Sequence, residues 1–291
     1  MPDKGRNVEK EEKWDLIISP KRGLFSLNIG ELFKYRDLIL LFVKRDFIAN
    51  YKQTVLGPLW HILQPLLTTL TFVIIFGNVA KLSADGTPHL LFYMIGIITW
   101  TYFSSCLVKT STTFVSNAHI FSKVYFPRLS VPVSVVISNF ITFFVQFLIF
   151  IVFYLYYFFS NKYVYGFSPQ YLPLLLLLVL LMAMLGLGMG IIISSLTTKY
   201  RDFSFLVGFG VQLMMYISPV IFPLSQVSGK LKYLLLCNPM TPVIETMRVI
   251  CLGKGVLNGY HLAYTACFAV VTLFIGVLLF NRIEKSFNDT V

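Results

Sequence analysis

Polar and apolar positions along this chain separate into long blocks rather than short alternations. The sharpest change of regime lies in Lys44–Gly77, KRDFIANYKQTVLGPLWHILQPLLTTLTFVIIFG. Its first third carries Lys44, Arg45, Asp46 and Lys52, and from Gln53 onward it carries no charge. An apolar run of about 20 residues crosses a bilayer, so this boundary reads as that between water and lipid. The Gly57-Pro58 pair marks the junction, where the two segments can meet at an angle. The pattern then repeats. Six stretches of 23 residues or more lack Asp, Glu, Lys and Arg: Lys52 to Lys81, Asp85 to Lys109, Arg128 to Lys162, Lys162 to Lys199, Asp202 to Lys230 and Lys254 to Arg282. A charge at the centre of a spanning helix costs about 2.5–3.5 kcal/mol. Six clean stretches therefore predict six spanning helices, near 56–79, 90–108, 132–159, 172–195, 205–220 and 260–280. A transmembrane barrel would show short alternating strands instead.

Two further elements follow from the same pattern. Glu31–Gln53 predicts a helix with Lys34, Asp37, Lys44, Arg45 and Lys52 on one face. Leu32, Leu38, Ile39, Phe42, Val43 and Phe47 crowd the other, as in a helix lying in the membrane interface. Between the fifth and sixth spans, residues 233–244 and 246–252 are apolar but too short to cross. Asn238-Pro239 and Thr241-Pro242 interrupt them, which predicts re-entrant or surface helices on the outer side. The expected fold is an all-α integral membrane protein. It comprises a cytoplasmic leader (1–30), an amphipathic interface helix (31–53), a six-helix transmembrane domain (56–280) and a cytoplasmic tail (281–291).

The spans hold few polar groups. His61, Gln64, Pro65 and Asn78 fall in the first. With no second ligand at helical spacing, His61 reads as hydrogen-bonded to a neighbour, and Pro65 predicts a kink. In the third span Phe140, Phe143, Phe144, Phe147, Phe150, Tyr154 and Tyr157 recur at three- and four-residue steps. Such a stripe faces lipid or a neighbouring helix, or else lines a path for sugar rings. Gly186, Gly188 and Gly190 in the fourth span permit close helix approach.

Composition agrees: 56% of residues are hydrophobic and 13% charged, too few charges to solvate a globule of this size. Segments 1–56, 109–130, 196–202 and 281–291 hold eighteen of the 24 Lys and Arg residues. The positive-inside bias therefore places both termini in the cytoplasm. Much of the net +11 follows from that bias alone, and an anionic lipid substrate is the sharper reading of it. Cys237 and Cys251 share the long outer loop, where a bridge is conceivable although four cysteines make no framework. The spans carry no Asp, Glu, Lys or Arg of the kind proton- or sodium-driven carriers keep there, and no phosphate-binding loop or metal motif is present. Uphill transport would then draw its energy from another polypeptide.

Four blocks in order carry a resemblance. They are Tyr35–Gly77, NAHIFSKVYFPRL (Asn117–Leu129), KYRDF (Lys199–Phe203) and SPVIFPL…NPMTPVIETMR (Ser218–Arg248). Together they resemble the membrane subunit of bacterial polysaccharide-exporting ABC transporters, the O-antigen, capsule and teichoic-acid permeases, with the leader closest to the O-antigen branch. The resemblance implies a homodimer in the bacterial inner membrane, bound to two copies of a cytosolic ATPase subunit. ATP and Mg would sit on that subunit and no cofactor on this chain. The substrate would be a polymer on undecaprenyl diphosphate, and no nucleic acid partner is expected. Asn117, His119, Ile120, Phe121, Lys123 and Arg128 would form the ATPase-coupling loop. Lys44, Arg45 and Lys52 would meet the lipid headgroup. Trp60, Phe72, Tyr93, Trp100 and Tyr216 would line the conduit, and residues 224–252 would form outer gate helices. Other classes remain open here: a permease of the same fold for drugs or other lipids, a membrane glycosyltransferase, or an ATP-independent flippase.

Overall fold

A computed structural model describes residues 29–52, 54–121, 123, 126–160, 169–197 and 202–286. The leader before residue 29, Gln53, Lys199–Arg201 of the KYRDF block and the last five residues of the tail lie outside the described residues. Among the described residues all regular structure is helical. In chain order the helices are α1 (Ile29–Lys34), α2 (Arg36–Tyr51), α3 (Trp60–Phe72), α4 (His89–Ser111), α5 (Thr113–Ser116) and α6 (Ala118–Phe121). They continue with α7 (Ser130–Phe159), α8 (Leu172–Thr197), α9 (Phe203–Tyr216), α10 (Gly229–Leu236), α11 (Met240–Leu252) and α12 (Gly259–Ser286).

Five helical stretches are long and apolar enough to cross a membrane: Gly57–Val79, His89–Ser111, Ser130–Phe159, Leu172–Thr197 and Gly259–Arg282. The chain is a multi-pass membrane protein. The fifth expected span behaves differently. At 14 residues, α9 rises only about 21 Å, short of a hydrocarbon layer of about 30 Å. The expected interface helix is also broken, by a turn at Tyr35 between α1 and α2. Of its apolar face, Ile39, Phe42 and Val43 are buried against the protein.

Helix α4 is the centre of the bundle. Leu91–Ile98 are all buried along it, and α3, α7, α8, α9 and α11 pack around it. Helix α8 lies between α4 and α12, and its glycines explain how it approaches both. A Cβ on Gly186 would fall 2.6 Å from Cys106 Cβ, and one on Gly190 would fall 2.6 Å from Thr110 Cβ, both on α4. Gly188 faces the other way, where a Cβ would meet Leu273 N of α12 at 2.7 Å. Lipid tails are as apolar as leucine, so this close packing, not water exclusion, holds the three helices together.

The span-three aromatics divide: part of the stripe packs against neighbouring helices, while Phe140 and Phe144 are exposed. Phe143 and Phe150 are buried, and Phe140, Phe143, Phe147, Phe150 and Tyr154 form a ladder with successive centroids 5.8–6.4 Å apart. Phe143 meets Tyr102 of α4 at 5.2 Å. Pro65 has no N–H for the carbonyl of His61 one turn earlier. Gln146 of α7 supplies the missing donor, its Nε2 lying 3.3 Å from His61 O. The His61 ring sits 3.4 Å from Thr142 Oγ1, a neighbour contact of the kind expected.

Gly188→Val is expected to destabilise the chain by about 1–3 kcal/mol, because the Leu273 main chain must move. Gly210→Ala meets nothing within 4 Å in this chain and is expected to hold or raise stability by about 0.5–1 kcal/mol. Thermal melting of the detergent-solubilised variants measures both, and equal melting points would refute the packing role.

Candidate functional site

At one end of the bundle residues 113–121 and 126–128 are built into a platform. Helices α5 and α6 have four residues each, too few to hold themselves. Aromatic burial does it instead. Phe114, Phe121 and Phe126 cluster with Phe42 of α2, Val131, Ile191 and Phe280 of α12. Phe114 stacks on Phe280 at 4.7 Å, Phe121 lies 5.7 Å from Phe126, and Phe126 lies 5.5 Å from Phe42. Pairs of this kind contribute about 0.5–1.5 kcal/mol beyond area burial. A polar tie joins the same parts: Arg45 Nη2 donates to Asn117 Oδ1 at 3.3 Å, and Asn117 Nδ2 donates to Thr113 O at 3.1 Å. Helix α2 and the platform are therefore one unit.

This geometry divides the expected coupling residues. His119 and Lys123 are exposed, and Ile120 and Asn117 are half-buried. Phe121 is 6% exposed and faces inward, so it anchors the platform and offers no outward surface. Arg128 lies over its ring, 5.7 Å from the centroid. Val115, which sequence reasoning passed over, is exposed on the same segment. Among the expected headgroup cations Lys44 and Lys52 are exposed. Arg45 is committed to Asp46 at 2.8 Å as well as to Asn117.

The expected lining residues also divide. Trp60 and Tyr216 are each 48% exposed. Phe72, Tyr93 and Trp100 are buried in this chain's own core, which removes them from the lining. Phe72 packs edge-on against Tyr93 at 6.2 Å, and Trp100 against Phe103 at 5.4 Å.

At the opposite end a buried ion pair organises the segment after α9. Glu245 Oε1 and Arg248 Nη1 are 3.0 Å apart, with both side chains 2% exposed. Arg248 Nη2 donates to Val220 O at 2.9 Å, and its guanidinium lies 3.7 Å from the Phe92 ring centroid. The Glu245 carboxylate accepts Leu224 N–H at 3.3 Å and Val256 N–H at 3.1 Å. Gly96 makes room: a Cβ there would come within 3.2 Å of both Arg248 Nη2 and Val220 O. Burial pushes the Arg248 guanidinium down to about 10, with Glu245 pulling the other way, so it stays charged at neutral pH. Asn238 Nδ2 adds a bond to Ser218 Oγ at 2.8 Å. The expected break at Thr241-Pro242 does not occur. Pro242 stands in the first turn of α11, where an N–H has no helical partner to lose. The sequence signal that was missed is an i, i+3 pair of opposite charges inside an apolar helix. Cys237 and Cys251 are free thiols, the first exposed and the second buried.

Residues 37–252 match the family described as ABC-2 type transporter. The chain belongs to that family. As an ABC-2 permease it is the transport subunit, and ATP is hydrolysed on a separate ATP-binding subunit. The permease is 27% identical over 264 residues to the O-antigen export system permease protein RfbA of Klebsiella pneumoniae, covering 90% of this chain and 96% of that one. It is 25% identical over 266 residues to the Myxococcus xanthus protein of the same name, covering 90% and 98%. It is 25% identical over 249 residues to the polysialic acid transport protein KpsM of Escherichia coli, covering 83% and 92%.

Two outcomes test this geometry. Arg248→Met leaves a buried carboxylate without its cation and is expected to cost about 3–5 kcal/mol. Glu245→Gln preserves shape and should cost less; chemical or thermal denaturation in detergent ranks the two, and the reverse order counts against the pair. At the other end Phe121→Ala is expected to lose about 3–5 kcal/mol and Val115→Ser no more than about 0.5 kcal/mol, measured as melting shifts.

Proposed function

We propose that this permease moves an undecaprenyl-diphosphate-linked polysaccharide, an O-antigen, from the cytoplasmic to the outer face of a bacterial inner membrane. It works as a homodimer with two copies of its ATPase, which carry the ATP and Mg; this chain binds no cofactor. The observation that carries the reading is coverage. The O-antigen permeases match 90% of the chain and the polysialic acid protein 83%.

In this reading both termini and the platform are cytoplasmic. Val115, His119 and Lys123 present the ATPase contact, with Asn117, Ile120 and Arg128 behind them. Helices α1 and α2 lie in the interface, where Lys44 and Lys52 meet lipid headgroups. The sixth crossing is α9 completed by the irregular 217–226 segment, whose polar main chain is supported by Arg248 and Glu245. Helices α10 and α11 dip back from the outer side as the gate. Trp60 and Tyr216 face the conduit, where aromatic faces suit sugar rings and the absence of fixed charge lets a polymer slide.

Reconstitution of the chain with its ATPase in vesicles tests the proposal. ATP-dependent appearance of the lipid-linked polymer outside is expected, and the chain alone should neither hydrolyse ATP nor move polymer. Val115→Asp should abolish transport while the chain stays folded. Hydrolysis by the isolated chain, or labelling of a Val115→Cys variant from outside intact cells, would overturn it.

A further inference from the structure

Beyond α3 the first spanning stretch changes its winding. Val73–Val79 is a π-helix of seven residues, followed by Ala80 N donating to Ile75 O at 2.8 Å, five residues back. Such turns are rare, occur mostly as single-turn bulges, and are frequent at functional sites. The turn after it holds Lys81 (φ 51°) and Asp85 (φ 52°) in the left-handed region, besides Gly86 (φ 76°). Conformations of this kind are costly for residues other than glycine and persist only where the surroundings fix them. Here Thr87 donates its N–H and its hydroxyl to Ala84 O at 3.0 and 2.7 Å, and Asp85 Oδ2 accepts Ser225 Oγ at 2.8 Å.

The result is an open cavity of about 590 Å³ between the π-helix, the start of α4 and the end of α7. That volume lies in the range of small-molecule sites, about 300–1,000 Å³. Gly77 gives the His89 ring its place, since a Cβ there would lie 3.0 Å from His89 Cδ2. Val73 and Leu90 supply apolar wall, and Asn78, Thr87, His89 and Tyr157 supply polar wall. Much of that polar capacity is unused. His89 Nε2 is taken by Leu82 O at 3.0 Å, which leaves Nδ1. Among the described residues His89 Nδ1, the Asn78 side-chain amide and the Tyr157 hydroxyl have no hydrogen-bond partner. An acyl chain in the cavity would set these groups against hydrocarbon, which is unfavourable. A phosphate or carboxylate calls for a cation, and among the described residues no charged side chain lines the cavity. A sugar ring fits both walls. Its hydroxyls donate and accept as amide, imidazole and phenol require, and its C–H face suits the Tyr157 ring, Val73 and Leu90.

We propose that this cavity binds one uncharged pyranose unit. Asn78 and His89 hydrogen-bond its hydroxyls, and Tyr157 contributes both its hydroxyl and its ring face. At its other end α4 runs into the platform, so in the export reading the cavity opens on the outer side. The pyranose can be a unit of the emerging polymer or the headgroup of a sugar-bearing lipid there, and the first source rests on that reading.

Saturation-transfer NMR on the full chain in phosphatidylcholine nanodiscs tests the site, with the methyl glycosides of glucose, galactose and mannose as probes. At least one glycoside is expected to bind. Tyr157→Phe and Asn78→Leu should each weaken it about fivefold, the loss of one hydrogen bond, and the double variant about twentyfold. Tyr260→Phe, at an exposed tyrosine outside the cavity, should change nothing. Both cavity substitutions fall on side chains without internal hydrogen bonds, so melting points should hold. Polymer transport by the double variant with its ATPase in vesicles separates the sources. Slower transport assigns the sugar to the polymer, and unaltered transport with lost glycoside binding assigns it to a lipid headgroup. No glycoside signal from the unaltered chain, or equal signals from it and the folded double variant, overturns the site, leaves the cavity to water and lipid, and leaves the export reading to its own transport assay.

Discussion

In a low-dielectric slab with no water to help, every main-chain polar group must find its partner inside the protein, and this constraint shapes each irregular feature of the permease. Pro65 breaks one helical bond in α3, and Gln146 of the neighbouring span supplies the donor. Helix α9 stops after 14 residues, and the chain that follows it is irregular. There Arg248 donates to the Val220 carbonyl and Glu245 accepts the Leu224 amide. The ion pair is thus less a source of net stability than a means of satisfying a bent backbone. Buried pairs seldom stabilise relative to apolar packing, but removing one partner is costly.

The same economy of polar groups governs helix contacts. With no hydrophobic drive between helices in lipid, α8 reaches α4 and α12 by presenting glycine at 186, 188 and 190. Its two faces are used in alternation, which locks three helices around one axis. The central helix α4 then serves both ends of the molecule. Phe92 and Gly96 receive Arg248 near one end, and Lys109 reaches Asn139 near the other. Helix α4 thus contacts α5 of the phenylalanine platform and, towards its other end, holds Arg248 of the segment after α9.

Much of the fold was legible in the charge-free blocks, because lipid penalises charge so strongly that span positions follow from it. The candidate site was less legible. His119 and Phe121 stand two residues apart in one short loop and look equally available, yet one is exposed and the other closes an aromatic cluster with Phe126 and Phe114. Phe72, Tyr93 and Trp100 resemble conduit aromatics by composition, but burial places them in the core. An apolar helix carries little periodic signal, since lipid-facing and core-facing positions are alike in polarity, so orientation cannot be read along it.

By itself the sequence determined that this is a multi-pass helical membrane protein, where five of its crossings lie, and that its energy comes from elsewhere. Span length and charge avoidance are local properties, written residue by residue. Only the tertiary structure decided which aromatics face inward and that α9 falls short. It alone paired Glu245 and Arg248 with the backbone on either side of them, and set Lys109 against Asn139, 30 residues away. Those outcomes depend on which helix lies beside which, and close packing in lipid, unlike the avoidance of charge, leaves no mark on a single helix.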